Sequence, residues 1–190
     1  ARAAEAVLAM IESPRFAGLT SGVGLLDQET IQQFGVSGPA ARASGVDLDL
    51  RLQLPYLAYR ELAALIAPPV HRSGDAQSRL ALLAEELTIS ASLITACVDR
   101  LKQLPGPVAV KLGKIIRVPE GEAYSAIEAP LGIAGVFLVS RGEKTPWRLK
   151  LRTPSFNNVS SLERVLVGVR TEALEATLAS IGYVVGDIDK

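Results

Sequence analysis

The sequence has very few of the side chains that carry out redox or nucleophilic chemistry. Its 190 residues include one cysteine, one histidine and one tryptophan. The single cysteine excludes an internal disulfide framework and fits a reducing compartment. A zinc site or an iron–sulfur cluster needs about three or four thiolate or imidazole ligands, which these residues cannot supply. We therefore expect no metal site, no bound cofactor and no complete active site in this chain.

The lone histidine and the lone cysteine both have ordinary structural interpretations. A Ser-His-Asp arrangement would have to use His71, which follows two prolines in an apparent loop without any nucleophile-elbow pattern. We expect His71 to be an exposed loop residue. Cys97 falls on the apolar face of a predicted helix, so we expect it to be a small core residue. Gly22-Val23-Gly24 lacks the third glycine of a dinucleotide-binding loop and predicts no nucleotide site.

The chain also lacks an excess of charge of either sign and a long uncharged run. Its 20 basic residues balance 20 acidic ones, which argues against a nucleic-acid partner. A net charge of zero gives little repulsion between proteins and favours residence in an assembly. The longest runs without a charge, such as Ala129 to Ser140, hold about 12 residues, whereas a membrane-spanning helix needs about 20. We expect no membrane span.

The first third of the chain contains two predicted helices separated by glycine-rich segments. Strong helix formers between Ala3 and Glu12 predict a helix that ends at Ser13-Pro14. Asp27 is the expected N-cap of a short helix that runs through Phe34 and stops at Gly35. From Val36 to Tyr59 the pattern is irregular and predicts a constrained loop.

One long helix and a small sheet follow. Between Ala76 and Leu104, apolar residues recur three or four positions apart, or at sums of these, which predicts a helix about 40 Å long. Three segments then read as strands, and two further helices are predicted near the C-terminus. The strands are expected at 123–127, 133–139 and 147–152, and the helices at 162–169 and 172–180. The third strand alternates Arg148, Lys150 and Arg152 with apolar residues, as in a half-exposed antiparallel sheet.

These elements predict an α+β fold, mainly helical, with a long central helix and a small antiparallel β-sheet. We expect residues 1–190 to form a single domain.

Nine segments follow one pattern of motifs along the chain: 35–39, 42–46, 49–51, 55–59, 74–79, 119–124, 128–132, 152–158 and 180–190. The most specific is the loop with glycine and proline at fixed spacing, similar to GxSGPxxRASG followed by DLR and PYxxY. In this order the segments resemble the C-terminal half of one superfamily, which contains the large subunits of [NiFe] hydrogenases and the D subunit of NADH:quinone oxidoreductase (respiratory complex I). The resemblance implies the hydrogenase-large-subunit-like version of the predicted fold.

The departures from the family pattern concern metal ligands and two charged positions. Metal-bearing relatives place two nickel-binding thiolates at the positions occupied here by Val184 and Asp187, so nickel ligation is not available and the chain is similar to the complex I branch. Gly182 stands where both branches usually carry Asp, and Leu131 stands where the EAP(K/R)G motif has a cation. The first half of the family's sequence is not matched.

The resemblance implies a subunit that packs against an iron–sulfur subunit and forms part of the wall of a quinone cavity. Val184, Asp187, Gly38 and Arg42 are the candidate cavity residues, and no catalytic residue is assigned. For Arg42 a structural role in pairing with a carboxylate or with backbone carbonyls is an equal alternative, and for Val184 core packing is the interpretation that we favour. Partners would be the iron–sulfur and other peripheral-arm subunits, quinone and, indirectly, membrane subunits, at the cytoplasmic face of the membrane.

Two alternatives remain at this point. Gly182, Leu131 and the unmatched first half are also consistent with a non-catalytic, hydrogenase-like assembly or interaction paralogue. A related membrane-bound complex with another electron donor is the other alternative, because donors bind other subunits.

Overall fold

The computed structural model describes residues 2–111 and 117–189. The N-terminal part consists of short helices ahead of one long helix. These are α1 (Arg2–Ile11), α2 (Pro14–Thr20), α3 (Gln28–Phe34), α4 (Gly38–Arg42), α5 (Leu50–Gln53), α6 (Tyr59–Leu62), a 3₁₀ turn (Ala63–Leu65) and α7 (Ala76–Leu101). Three strands follow, β1 (Gly121–Ala129), β2 (Gly132–Ser140) and β3 (Arg148–Arg152). The chain ends with α8 (Pro154–Ser160), α9 (Leu162–Val165), α10 (Thr171–Ile181) and α11 (Val185–Ile188).

The helix caps explain where the predicted helices begin. The Thr30 backbone N–H donates to the Asp27 carboxylate at 2.7 Å, and Gly35 ends α3 in the left-handed region at φ 66°. Asp75 caps α7 in the same way, accepting from the Ser78 N–H at 2.8 Å. Both caps satisfy backbone N–H groups that have no partner within their helix.

Helix α7 is the central element. Its N-terminal half packs against α1, α2, α4 and α10, and Leu82 and Ala84 are buried there. By length and composition alone this helix could cross a membrane, with a mean hydropathy of 1.6 over its most apolar 18 residues, of which 22% are buried. The expectation from uncharged runs did not single it out, because Glu85, Glu86 and Asp99 interrupt its apolar residues. Core helices of soluble proteins meet the same criterion.

The sheet is a three-stranded antiparallel meander in the order β1-β2-β3. A two-residue turn, Pro130-Leu131, joins β1 to β2, with Ala129 opposite Gly132. On the second hairpin, the Arg141 guanidinium stacks on the Trp147 ring at 3.2 Å from its centroid. Arg148, Lys150 and Arg152 share one face of β3, as predicted, and Phe137 of β2 lies opposite Lys150.

The predicted α+β class, long helix and small antiparallel sheet are confirmed. Six short helices, α2, α4, α5, α6, α8 and α11, were not predicted. Three of them have proline in their first turn, where its fixed φ suits a helix and its missing N–H costs nothing. Proline was interpreted only as a helix terminator, so the constrained loop expected from Val36 to Tyr59 is wrong where α4 and α5 lie.

Candidate functional site

The turn between β1 and β2 is the meeting point of three segments that are distant in sequence. It contacts the start of α4, the helix α8 and the end of α10. The Asn158 side chain donates to the Leu131 carbonyl at 2.9 Å, and the Ile133 N–H donates to Ser37 Oγ at 2.9 Å. These three segments lie in motifs that are similar to the family pattern, and the fold brings them together around Leu131.

Gly38 lies at the closest approach in this junction. Its φ is +66°, and a Cβ atom built on it would lie 2.4 Å from Gly132 Cα and 2.8 Å from the Leu131 carbonyl carbon. Both neighbours are backbone atoms, which cannot move aside as a flexible side chain can. Only glycine fits this position, because it alone lacks the Cβ and tolerates the left-handed backbone. Gly38, one of the candidate cavity residues, is therefore buried under the turn and has a packing role.

The two departures from the family pattern, Leu131 and Gly182, are in contact. A Cβ atom on Gly182 would lie 2.8 Å from Leu131 Cδ2, so the leucine side chain occupies the space that a larger residue at 182 would need. Gly182 also ends α10 at φ 67°. The two positions that depart from the family motifs thus lie side by side in this chain.

The C-terminal tail is held by hydroxyl groups from α8 and the residue before it. Ser155 Oγ donates to the Asp187 carboxylate at 2.9 Å, and the Val184 N–H donates to Ser155 Oγ at 3.1 Å. Thr153 Oγ1 donates to the Asp187 carbonyl. These contacts fix α11 beside α8 and orient the carboxylate of Asp187.

A cleft of about 450 Å³ lies between β3, α8 and α11. Asp187 lines it, and Val184 lies nearby on the tail with 52% of its surface exposed. The walls combine three apolar side chains with charged, hydroxyl and amide groups. They are formed by Lys150, Leu151, Arg152, Thr153, Phe156, Asn157, Asp187 and Ile188. We call this concavity the tail cleft.

Arg42 does not line the tail cleft. It is 1% exposed, and its guanidinium donates to Glu86 at 2.7 Å, to Glu128 at 2.9 Å and to the Leu48 carbonyl at 3.1 Å. The Arg42 Nε atom is buried without a hydrogen-bond partner. The predicted pairing of Arg42 with a carboxylate is confirmed.

Arg42 belongs to a buried cluster of five charges. Arg51 donates to Asp49 at 2.6 Å and lies 3.3 Å from Glu86. The hydrogen bond to Asp49 is the main reason that the pKa of Arg51 is raised above its ordinary value. Three carboxylates face two guanidiniums, so α4, α5, α7 and β1 are joined by a network with one excess negative charge. We call Arg42, Asp49, Arg51, Glu86 and Glu128 the ion cluster.

A second buried arginine, Arg79, anchors the N-terminal end of α7. Its guanidinium donates to the carbonyls of Gly74 and Gly24, both at 2.8 Å, and to Ser180 Oγ at 3.0 Å. Burial lowers the pKa of Arg79 to about 10, and the charge of Asp75 opposes that effect. Arg79 thus ties α7 to the segment before α3 and to α10.

Neither lone reactive residue forms a catalytic arrangement. His71 was expected to be an exposed loop residue, but it is partly buried, with Nε2 3.1 Å from the Glu85 carboxylate. Cys97 is partly buried and packs against the apolar cluster of Leu62, Ile66 and Leu93. Across residues 2–111 and 117–189, no three His, Cys, Asp or Glu side chains are grouped so as to hold a metal ion.

Sequence reasoning identified Val184 and Asp187 but missed the residues that hold them. Thr153 and Ser155 lie in the segment similar to RxPSFxxL, which was used only as a mark of resemblance. The available signal was the run of hydroxyl and amide side chains directly after proline. Such residues commonly hydrogen-bond nearby backbone at helix starts.

A family model described as "Respiratory-chain NADH dehydrogenase, 49 Kd subunit" matches residues 2–116 and 111–190. The chain is 49% identical over 176 residues to a D subunit of the NADH-quinone oxidoreductase of Streptomyces coelicolor, covering 92% of this chain and 46% of that protein. It is 50% identical to a D subunit of the same enzyme in Salinispora arenicola, covering 92% of this chain and 45% of that protein. The chain therefore spans about half the length of the curated relatives that it matches.

The fold is also similar to a chain in the structure of the membrane-bound sulfane sulfur reductase, an archaeal respiratory membrane complex. The TM-score is 0.85 at 32% identity, covering all of this chain and 54% of that chain. The sequence matches and the shared architecture agree with the motifs that meet around Leu131. The chain belongs to the family of the 49 kDa subunit of respiratory-chain NADH dehydrogenase.

Proposed function

We propose that this chain is part of the D subunit of an energy-converting NADH:quinone oxidoreductase, and that its tail cleft contributes to the wall of the quinone cavity. The reaction transfers two electrons from NADH, through iron–sulfur clusters on other subunits, to a quinone that takes up two protons. On this proposal the chain supplies no redox group. It shapes the cavity and positions its partners, while the cofactors of the assembly carry the electrons.

The observation that carries this proposal is the composition of the tail cleft. A quinone has a flat ring with two carbonyl acceptors and an apolar tail. Lys150 and the second amide hydrogen of Asn157 offer hydrogen-bond donors, while Leu151 and Phe156 offer apolar surface. Few other concavities among the described residues combine both chemistries next to the tail that carries Val184 and Asp187.

Within this proposal the four candidate residues act in two ways. Val184 and Asp187 contact the cavity, because the tail is exposed and Asp187 lines the cleft. Gly38 and Arg42 act indirectly, because both are buried and support the elements on which the tail rests. The basic face of β3 is the proposed surface for contact with the iron–sulfur subunit, since it presents three cations around a hollow of about 410 Å³. The assembly would lie peripherally at the cytoplasmic face of the membrane.

The test is a substitution in the tail of the assembled complex. Val184→Trp should raise the KM for quinone or lower quinone reductase activity at least tenfold, because the indole would project from the exposed tail beside the cleft. Deletion from Tyr183 onward should have a larger effect and leave the fold largely intact, since the buried Ile181 is retained. Electron transfer from NADH to ferricyanide, which bypasses the quinone, should not change in either variant.

Val167→Trp is the matched control, because Val167 is equally apolar, is 78% exposed and follows α9 rather than lining the cleft. It should leave quinone kinetics unchanged. Unchanged quinone kinetics in the Val184 and deletion variants would refute the cavity-wall role.

A second candidate function follows from the solved structure. The similarity to a chain of the membrane-bound sulfane sulfur reductase supports a related respiratory membrane complex other than an NADH:quinone oxidoreductase. The higher identity to the D subunits of NADH-quinone oxidoreductases favours the first candidate. Purification of the chain from native membranes, followed by identification of the proteins and clusters that accompany it, distinguishes the two.

A further inference from the structure

Ser155 is a buried serine whose hydroxyl has two partners on the C-terminal tail. It is the second residue of α8 and is 0% exposed. Its Oγ donates to the Asp187 carboxylate at 2.9 Å and accepts from the Val184 N–H at 3.1 Å. Serine near the start of a helix usually bonds to backbone within a few residues, whereas these partners are 32 and 29 positions further along the chain. The hydroxyl therefore makes a long-range contact and is not a helix cap.

Helix α8 is a rigid support for this hydroxyl, because it is attached to the fold on two sides. The Asn157 side chain donates to the Phe34 carbonyl at 2.7 Å, at the end of α3. The Asn158 side chain donates to the Leu131 carbonyl at 2.9 Å, in the turn between β1 and β2. Two attachments to different elements fix the position of α8, so the Ser155 hydroxyl is in place before any ligand binds.

The tail, in contrast, is held by hydrogen bonds and not by burial. Within the described part of the chain, none of the four residues of α11 is buried. A helix of a single turn is not stable by itself, because its nucleation is unfavourable. The hydroxyls of Ser155 and Thr153, which both bond to Asp187, therefore fix the tail beside α8.

The position of Asp187 in the tail cleft indicates which state of a quinone an oriented carboxylate would favour. The carbonyl oxygens of a quinone only accept hydrogen bonds, and an ionised carboxylate also only accepts them. Uptake of two electrons and two protons converts both carbonyls into hydroxyl groups, which donate. A carboxylate in the wall of the cleft therefore binds the reduced ring better than the oxidised ring, and this interaction develops as the reaction proceeds.

We propose that Ser155 is a positioning residue, which orients the Asp187 carboxylate to accept a hydrogen bond from a hydroxyl group of the quinol that forms in the tail cleft. Ser155 acts through Asp187, since Asp187 lines the cleft and Ser155 is buried. By accepting from the Val184 N–H as well, the same hydroxyl fixes the backbone that leads to Asp187. This inference rests on the proposed cavity-wall function.

The kinetics of quinone reduction in the assembled complex test the role of the hydroxyl. Ser155→Ala should lower kcat about tenfold and change the KM for quinone by less than about twofold, because the lost interaction develops only as the quinol forms. Ser155→Cys retains the size of the side chain but offers a poor donor, so it should have the same effect if the alanine variant does not assemble. Electron transfer from NADH to ferricyanide should be unchanged in both variants.

Ser161→Ala is the matched control. Ser161 is also 0% exposed, and its hydroxyl donates to the Asn158 carbonyl at 2.6 Å rather than to the tail. The substitution should lower stability and the amount of complex to a similar extent, and leave kcat in the assembled fraction unchanged. A comparable fall in kcat in the Ser155 and Ser161 variants would assign Ser155 to packing alone and overturn the proposal.

A double-mutant cycle tests whether Ser155 acts through Asp187. Asp187→Ala should lower kcat about tenfold by itself. Adding Ser155→Ala to that variant should lower kcat by less than about a further twofold, because the group that Ser155 orients is already absent. A further loss of about tenfold would show that the two residues act independently, contrary to the proposal.

Hydrogen exchange of the tail in the assembled complex gives a readout that does not depend on turnover. The Val184 N–H donates to Ser155 Oγ, so it should exchange at least about tenfold faster in Ser155→Ala than in the unsubstituted complex. Ser161→Ala should leave this exchange unchanged. Equal exchange of Val184 with and without the Ser155 hydroxyl would show that it does not hold the tail, and the proposal would fail.

The same variants separate this inference from the function on which it rests. If Asp187→Ala and deletion from Tyr183 lower quinone reductase activity but Ser155→Ala does not, the cavity-wall function stands and the role of Ser155 is refuted. If exchange of Val184 increases in Ser155→Ala but none of these variants changes quinone kinetics, the cavity-wall function is refuted and the positioning role with it.

Discussion

At the scale of single residues, the junction around Leu131 depends on two glycines, because there is no space for a side chain between their backbones. Gly38 and Gly132 approach each other through their backbones, and a methyl group on Gly38 has no space. Neither glycine could be assigned this role from the sequence, because the constraint comes from a segment almost 100 residues away. What the sequence provided was the motif, and what the fold adds is the reason that glycine is required.

The first prediction at this scale concerns Gly38→Ala. The substitution should lower the free energy of unfolding by about 3 kcal/mol, combining the left-handed backbone with overpacking against Gly132. Gly168→Ala is the matched control, because Gly168 has a φ of +76° and open space around it, and it should cost about 1 kcal/mol. Urea denaturation of the three proteins measures both values. Equal losses for the two variants would contradict the close approach.

At the scale of elements, caps and periodicity were readable from sequence, whereas short helices were not. Asp27, Gly35 and the three-four spacing in α7 predicted helices that the structure confirms, because these signals act within one turn of backbone. Helices α4, α5 and α8 contain four to seven residues and depend on tertiary contacts for stability. Their local signals, proline in the first turn of α4 and α8 and the Asp49 cap of α5, also occur in turns, so they do not by themselves distinguish a short helix from a loop. The contacts of Ser155 with the tail are long-range and have no local signal.

Among these helix caps, Asp75 should contribute most to the free energy of unfolding. Its carboxylate accepts from the Ser78 N–H and from the Gly22 N–H, both at 2.8 Å, and so joins the start of α7 to the chain after α2. Burial raises the pKa of Asp75, but these hydrogen bonds outweigh that effect and hold it below its ordinary value of 3.8. The folded protein therefore favours the ionised form more strongly than the unfolded chain does.

The contribution of Asp75 to the free energy of unfolding therefore depends on pH. The stabilising contribution of Asp75 is present above pH 3.8 and is lost as pH falls through its lower folded-state pKa. Asp75→Asn should lower the free energy of unfolding at pH 7 by about 1–2 kcal/mol, because one of the two acceptors becomes a donor. The difference between the proteins should shrink as the pH falls below 3.8, as measured by urea denaturation.

Asp27→Asn provides the comparison for the Asp75 variant. Asp27 caps α3 through one hydrogen bond and is exposed, so its replacement should cost less and change the pH profile less. A larger effect at Asp27 than at Asp75 would show that the contact with Gly22 contributes little.

At the scale of the whole molecule, the ion cluster joins elements that no single apolar core joins. Its residues come from α4, from α5 and its cap, from α7 and from β1. The sequence predicted a carboxylate partner for Arg42 but could not name Glu86 or Glu128, since both pairings are long-range. The proposed cavity residues divide in the same way, with the exposed tail identifiable from motifs and its supports visible only in three dimensions.

Arg42→Met should lower the free energy of unfolding by about 3–5 kcal/mol, because three buried carboxylates would then share one guanidinium. Arg60→Met, at an exposed position on α6, should change it by less than about 0.5 kcal/mol. In the assembled enzyme, the Arg42 variant should reduce the amount of complex and leave the KM for quinone in the remaining complex unchanged. A raised KM with normal assembly would instead assign Arg42 to the cavity.

The contact between Leu131 and Gly182 couples the two positions. A Cβ atom at 182 would lie 2.8 Å from Leu131 Cδ2, which is the end of a flexible side chain and can rotate away. The larger obstacle at 182 is its φ of +67°, a left-handed conformation that costs a residue other than glycine about 1–2 kcal/mol. A larger residue at 182 therefore also requires the side chain at 131 to move or to be shortened, so the two positions should covary among descendants of this sequence.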